Sequence, residues 1–97
     1  MSGFTLSPLA RQDLNDIWDY IAQDDLDAAD RVIDEIYDAI LLTSTMPGIG
    51  HLREDLTDKP LRFWPIRRYL IVYRIENELL EVARILSAYQ DVRRLLQ

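Results

Sequence analysis

The segment Leu61–Asp91, LRFWPIRRYLIVYRIENELLEVARILSAYQD, limits what this chain can fold into more than any other. Leu61–Ile66 and Arg68–Ile75 are dense in aromatic and β-branched residues, and Leu79–Leu86 is aliphatic with single charges between. Runs of this kind read as strands. Glu76-Asn77-Glu78 is a polar break short enough for a tight hairpin. A three-stranded antiparallel sheet needs apolar cover on one face to be stable, and the residues before Leu61 are patterned to supply it.

Phe4–Leu6 is long enough for an edge strand. Ser7-Pro8 then opens a helix, with a hydroxyl at the N-cap and proline where a missing N–H costs nothing. Ala10, Leu14, Ile17, Trp18 and Ile21 fall on one stripe, which predicts a helix from Pro8 to about Gln23. Asp24-Asp25 breaks it. A second helix starts near Leu26 or Asp27, and its stripe is Ala29, Val32, Ile33, Ile36, Tyr37, Ile40 and Leu41. Met46-Pro47-Gly48 stops that helix. So short a link makes the pair an antiparallel αα-hairpin. Pro47–Lys59 reads as a loop.

The predicted fold class is therefore α+β: an N-terminal αα-hairpin on a C-terminal antiparallel-rich sheet, in the order β-α-α-β-β-β with a short C-terminal helix. One domain spanning residues 1–97 is expected. On the middle strand Tyr69, Ile71, Tyr73 and Ile75 share one face, and Leu70, Val72 and Arg74 the other. On the last strand Leu80, Val82, Arg84 and Leu86 oppose Leu79, Glu81, Ala83 and Ile85. Both faces are mostly apolar, and the hairpin covers only one. The tail Asp91–Leu96 makes one or two helical turns and is too short to cover the other alone. A partner chain over that face is the expectation.

The net charge of −6 conceals a division. Residues 1–58 hold 3 Lys+Arg against 13 Asp+Glu, and residues 59–97 hold 8 against 4. An acidic helical half and a basic sheet half result. Overall acidity argues against unspecific nucleic-acid binding, which depends on Lys and Arg neutralising phosphates. No run approaches a membrane span and MSGFTLSP lacks a signal-peptide core, so a cytoplasmic protein is expected. The chain has no cysteine, which removes disulfides, thiolate metal sites and a thiol nucleophile.

Candidate chemistry is sparse. His51 is the single histidine, in a glycine-flanked loop, and reads as solvent-exposed. No metal-ligand or cofactor motif is present. The helix aspartates Asp13, Asp16, Asp19, Asp27, Asp30, Asp34 and Asp38 read as a solvated face or as a surface for a basic partner. Arg62, Arg67, Arg68, Arg74 and Arg84 interleave with Phe63, Trp64, Tyr69, Tyr73 and Tyr89. That combination suits a protein interface, cross-strand pairing with Glu76, Glu78 and Glu81, or contact with single-stranded RNA.

In order and spacing, several short pieces resemble the ParE toxins of the ParE/RelE superfamily. They are Leu6-Ser7-Pro8-Leu9-Ala10, the run Asp13–Ala22, Ala28-Ala29-Asp30-Arg31, Pro47-Gly48-Ile49-Gly50, Leu61-Arg62, Tyr69–Arg74, Arg84-Ile85-Leu86 and Asp91. The resemblance covers nearly the whole chain and implies a helical hairpin on an antiparallel-rich sheet. It also implies a toxin that inhibits DNA gyrase through protein contact, without catalysis or cofactor. A ParD-type antitoxin would neutralise it in a hetero-oligomer, wrapping a helix and an extended segment around it, with no direct DNA binding by this chain. The antitoxin would meet Leu14, Trp18, Ile21, Ile33, Tyr37, Leu70, Val72 and Arg74. The target would meet Arg67, Arg68, Arg84, Ser87, Tyr89 and Asp91. The related RelE branch cuts mRNA on the ribosome, and Arg62, Arg84 and Tyr89 stand roughly where its functional residues would. Many ParE proteins carry a histidine where this chain has Ser87.

Overall fold

Ser7 caps the first helix as the sequence implies, and Asp25, read there as part of a break, caps the second. The computed structural model describes residues 3–87 and 90–96. Strand β1 (Phe4–Leu6) leads into α1 (Pro8–Ala22), where the Ser7 hydroxyl accepts the Ala10 N–H at 3.0 Å. Helix α2 (Leu26–Thr45) is capped by Asp25, whose carboxylate accepts the Ala28 N–H at 3.1 Å. In its last turn Thr43, Ser44 and Thr45 each donate a hydroxyl to the carbonyl three residues back. Thr43 and Ser44 are buried there without an unmet hydroxyl. A 3₁₀ turn, Pro47–Ile49, follows.

The remaining elements are β2 (His51–Leu52), β3 (Arg62–Ile66), β4 (Tyr69–Glu76), β5 (Leu79–Ser87) and α3 (Val92–Leu95). The sheet order is β1-β5-β4-β3-β2. β1 runs parallel to β5, with Phe4 opposite Leu80 and Leu6 opposite Val82; the other pairings are antiparallel. The expected order thus gains one strand, β2, inside the segment predicted as a loop. His51 lies on that strand, exposed, its ring 6.5 Å from that of Trp64.

Two turns close the meander. Asn77 (φ 54°) and Glu78 (φ 66°) are both left-handed, the backbone that a two-residue β4–β5 connection favours. Arg67 (φ 54°) takes the same region between β3 and β4.

The hairpin packs on one face of the sheet. Leu14, Ile36 and Ile40 meet Ile71, Tyr73, Leu80, Val82 and Ile85 in the larger core. The buried Tyr73 hydroxyl donates to the Pro47 carbonyl at 2.7 Å and accepts the Gly50 N–H at 2.9 Å, fixing the chain as it leaves α2.

The second face departs from expectation in two ways. First, it has a core of its own: Val92 and Leu96, four residues apart on the C-terminal turn, cover Phe63, Val72 and Leu86 together with Leu61, and Leu56 packs against them. The tail is indeed too short to act alone, but the loop before β3 supplies the missing flank. Second, the alternation on β5 is broken. Val72 stands opposite Arg84 and Tyr73 opposite Val82, so Ala83 is an extra residue in the ladder. Ile85 therefore joins Leu80 and Val82 under the helices, and Leu86 turns to the other face with Ala83. Strict alternation had grouped Leu86 with Leu80 and Val82.

Candidate functional site

β1 ends at Leu6, while β5 runs on to Ser87, so the outer half of β5 has β4 on one side and no strand on the β1 side. Groups from α1 and its cap meet that backbone instead. The Ser7 N–H donates to the Val82 carbonyl at 3.0 Å, and the Ser7 hydroxyl to the Ala83 carbonyl at 2.6 Å. The Asp13 carboxylate accepts the Ile85 N–H at 2.9 Å and holds Arg84 through two bonds, 2.9 Å to Nε and 3.0 Å to Nη2. Side chains of both partners are mostly buried, 17% exposed for Arg84 and 13% for Asp13. The hydrogen bond to Asp13 raises the Arg84 pKa further, keeping it charged. Asp13 is thus no part of the solvated face expected of the helix aspartates. The signal was present: Asp13 lies three residues after Ala10 and four before Ile17, on the apolar stripe itself.

Beyond this edge a cleft of about 420 Å³ opens between α1 and the ends of β4 and β5. Ile17, Tyr69 and Ile85 form its apolar wall, and Asp16, Arg68 and Ser87 supply polar groups. Tyr20, 75% exposed, stands beside it. Two residues of the predicted target surface, Arg68 and Ser87, come together here. Tyr69 and Ser87 face each other across β4 and β5, which puts the β3–β4 turn next to the end of β5. Tyr20 and Gln90, also at the cleft, went unnoticed in the sequence: Tyr20 sits off the apolar stripe with nothing to separate it from an ordinary surface tyrosine.

The other predicted target residues are placed differently. Arg67 forks onto Glu35 of α2, with Nη2 to Oε1 at 2.8 Å and Nε bonded to Oε2. That bond holds the Glu35 carboxyl below its ordinary pKa. Arg84 is committed to Asp13. Asp91 caps α3, accepting the Arg94 N–H at 3.3 Å. Tyr89 lies outside the described residues. Of the arginines expected to pair across strands, Arg74 does so, with Glu81 at 2.8 Å. Arg62 donates to the Gly50 carbonyl at 2.8 Å.

Among the residues assigned to an antitoxin, Leu14 and Val72 are interior, 6% and 0% exposed, and present no surface to a partner. Trp18 donates its indole N–H to Asp30 at 2.9 Å, tying the two helices together. Ile33 and Tyr37 pack half-buried against the larger core and Leu70 against the smaller. Ile21 is half-buried on α1, and Arg74 is exposed.

A second opening, of about 300 Å³, lies on the far face between the start of α1 and α3. Leu61, Ala83 and Leu96 line it, with Leu9 and Leu95 at its margins. Among the described residues no group of His, Asp and Glu could hold a metal ion, and no helix is long and apolar enough to cross a membrane.

This architecture has a counterpart among solved structures. A chain of the "Chromosomal ParDE TA system from P. aeruginosa" superposes with a TM-score of 0.74 at 18% identity, over 90% of this chain and 96% of that one. At that identity the likeness shows a shared fold. Among curated proteins none matches the sequence. The profile of the family described as "ParE toxin of type II toxin-antitoxin system, parDE" matches residues 4–92, from β1 to the start of α3. The chain belongs to the ParE toxin family.

Proposed function

We propose that this chain is the toxin half of a type II toxin–antitoxin module, a single-domain cytoplasmic protein that inhibits DNA gyrase by protein contact and is neutralised by a ParD-type antitoxin in a hetero-oligomer. Family membership supplies the first part of that reading. One observation favours protein contact over RNA cleavage: of the five arginines from Arg62 to Arg84, all but Arg68 are already engaged. Cleaving RNA needs free cations around the scissile phosphate and a group to move the 2′-hydroxyl proton. Arg84 is held by Asp13, Arg67 by Glu35 and Arg74 by Glu81, and Arg62 is bonded to a backbone carbonyl.

Arg68 is exposed, and among the described residues no carboxylate is bonded to it. Its place beside Ser87 and Tyr20 at the cleft supports a target surface there, polar at the rim and aromatic within. The histidine that many relatives carry at position 87 would stand at this same rim.

The test is direct. Purified chain is added to gyrase in a supercoiling assay and, separately, to translating ribosomes. Loss of supercoiling with intact mRNA is expected, and Arg68→Glu should relieve inhibition without lowering the melting temperature. Codon-proximal mRNA cleavage with normal supercoiling would replace this reading by the RelE-like one.

A further inference from the structure

The far face of the sheet is closed at one end only. Val92, Leu96 and Leu56 cover it over β3, β4 and the end of β5. Towards β1 it stays open, and the 300 Å³ groove between α1 and α3 lies at that boundary. Its margins are apolar side chains left in water, Leu9 at 58% and Leu95 at 37% exposed. Further along the same face Leu79, at the β4–β5 hairpin, is 45% exposed. Aliphatic groups on both sides of an apolar floor describe a seat for another polypeptide.

The surrounding charge selects the occupant. Lys59, Arg74 and Arg84 border the groove and Glu81 is the one carboxylate among its lining residues. Glu81 is bonded to Arg74, and Arg84 is bonded to Asp13. Lys59 is left exposed, with no carboxylate bonded to it among the described residues. The outer surface of the hairpin has the opposite character, with Asp16, Asp19, Asp27, Asp34 and Asp38 all exposed. An acidic segment is repelled from the helices and drawn to the groove.

We infer that this groove receives an acidic, aliphatic-rich segment of the antitoxin, whose leucine- or valine-like side chains insert between Leu9 and Leu95 while a carboxylate pairs with Lys59. The inference rests on the antitoxin reading above and adds a place and a chemistry to it. It also restores, at one end of the sheet, the partner that the sequence called for across the whole second face.

The experiment titrates this chain with its proposed ParD-type antitoxin and measures affinity by calorimetry at two salt concentrations. Lys59→Glu and Leu9→Asp, both at exposed positions, should each weaken the complex about tenfold or more. Their melting temperatures should match the wild type. The Lys59→Glu complex should also lose most of the salt dependence, and Asp34→Lys on the hairpin should bind within about twofold of wild type. A wild-type complex that ignores both groove substitutions overturns the groove and leaves the antitoxin reading standing. Absence of any wild-type complex sinks the antitoxin reading and this inference together. Sedimentation of the chain alone covers the remaining occupant: a dimer that Leu9→Asp dissociates assigns the groove to a second copy and overturns the proposal.

Discussion

Replacing Asp13 with alanine isolates the contact that joins the helical layer to the edge of the sheet. The carboxylate is the partner of both Arg84 nitrogens and of the Ile85 N–H, at 2.9 to 3.0 Å. Removing one member of a buried ion pair costs about 3–5 kcal/mol, because the survivor is left charged and unpaired. Here the side chains are 17% and 13% exposed, so water reaches part of the guanidinium and the loss is smaller. The Ile85 N–H loses its acceptor as well, worth about 1–3 kcal/mol where water cannot replace it. A combined loss of about 2–4 kcal/mol follows. For a chain of this size that lowers the melting temperature by roughly 10–30 °C. Asp13→Asn keeps an oxygen for the Ile85 N–H and should lose about half as much. Urea unfolding of Asp13→Ala, Arg84→Met and the double variant gives the coupling energy, expected at about 1.5–3 kcal/mol. A single variant melting within about 3 °C of wild type, or a coupling below about 0.5 kcal/mol, would show that the pair does not hold the edge.

Gly50→Ala should destabilise for a reason unrelated to backbone freedom, since its φ is −73°: an added Cβ would lie 2.4 Å from the Tyr73 hydroxyl and 2.8 Å from two ring carbons. Calorimetric melts should show a loss of about 1–3 kcal/mol, only partly recovered by adding Tyr73→Phe because the ring remains. Glu78→Gly relieves a left-handed residue (φ 66°) and should raise stability by about 0.5–1 kcal/mol in urea unfolding. Glu35 and Asp55 have pKa values lowered from 4.5 and 3.8 by their bonds to Arg67 and Arg53. Depressed carboxyls stabilise the fold above their unfolded pKa values and cease to do so as pH falls through the folded ones. Stability should therefore drop below about pH 4.5, and Glu35→Gln should flatten that acid limb when urea midpoints are compared between neutral pH and pH 3.

The sequence alone determined what local chemistry can determine. Helix limits followed from a cap, a break and a 3.6-residue period: Ser7 starts α1, Asp24-Asp25 separates it from α2, and Pro47-Gly48 follows the end of α2. The polar break at Asn77-Glu78 announced the hairpin, and the run-by-run composition gave three of the five strands besides the edge strand β1. The division of charge between the halves needed only counting.

Tertiary structure decided the phase of β5, the cover of the second face and the partner of each arginine. An extra residue at Ala83 reverses which side chains face the helices, yet the string of residue types is the same with or without a bulge. Cover for Val72 and Leu86 comes from Leu56, Val92 and Leu96, residues on two segments that meet only after folding. Arg84 reaches back 71 residues to Asp13, and Arg67 reaches back 32 to Glu35. No periodicity operates over such separations. Choosing one carboxylate among many for a given guanidinium is a question of distance and burial in space, and those exist only once the helices have docked.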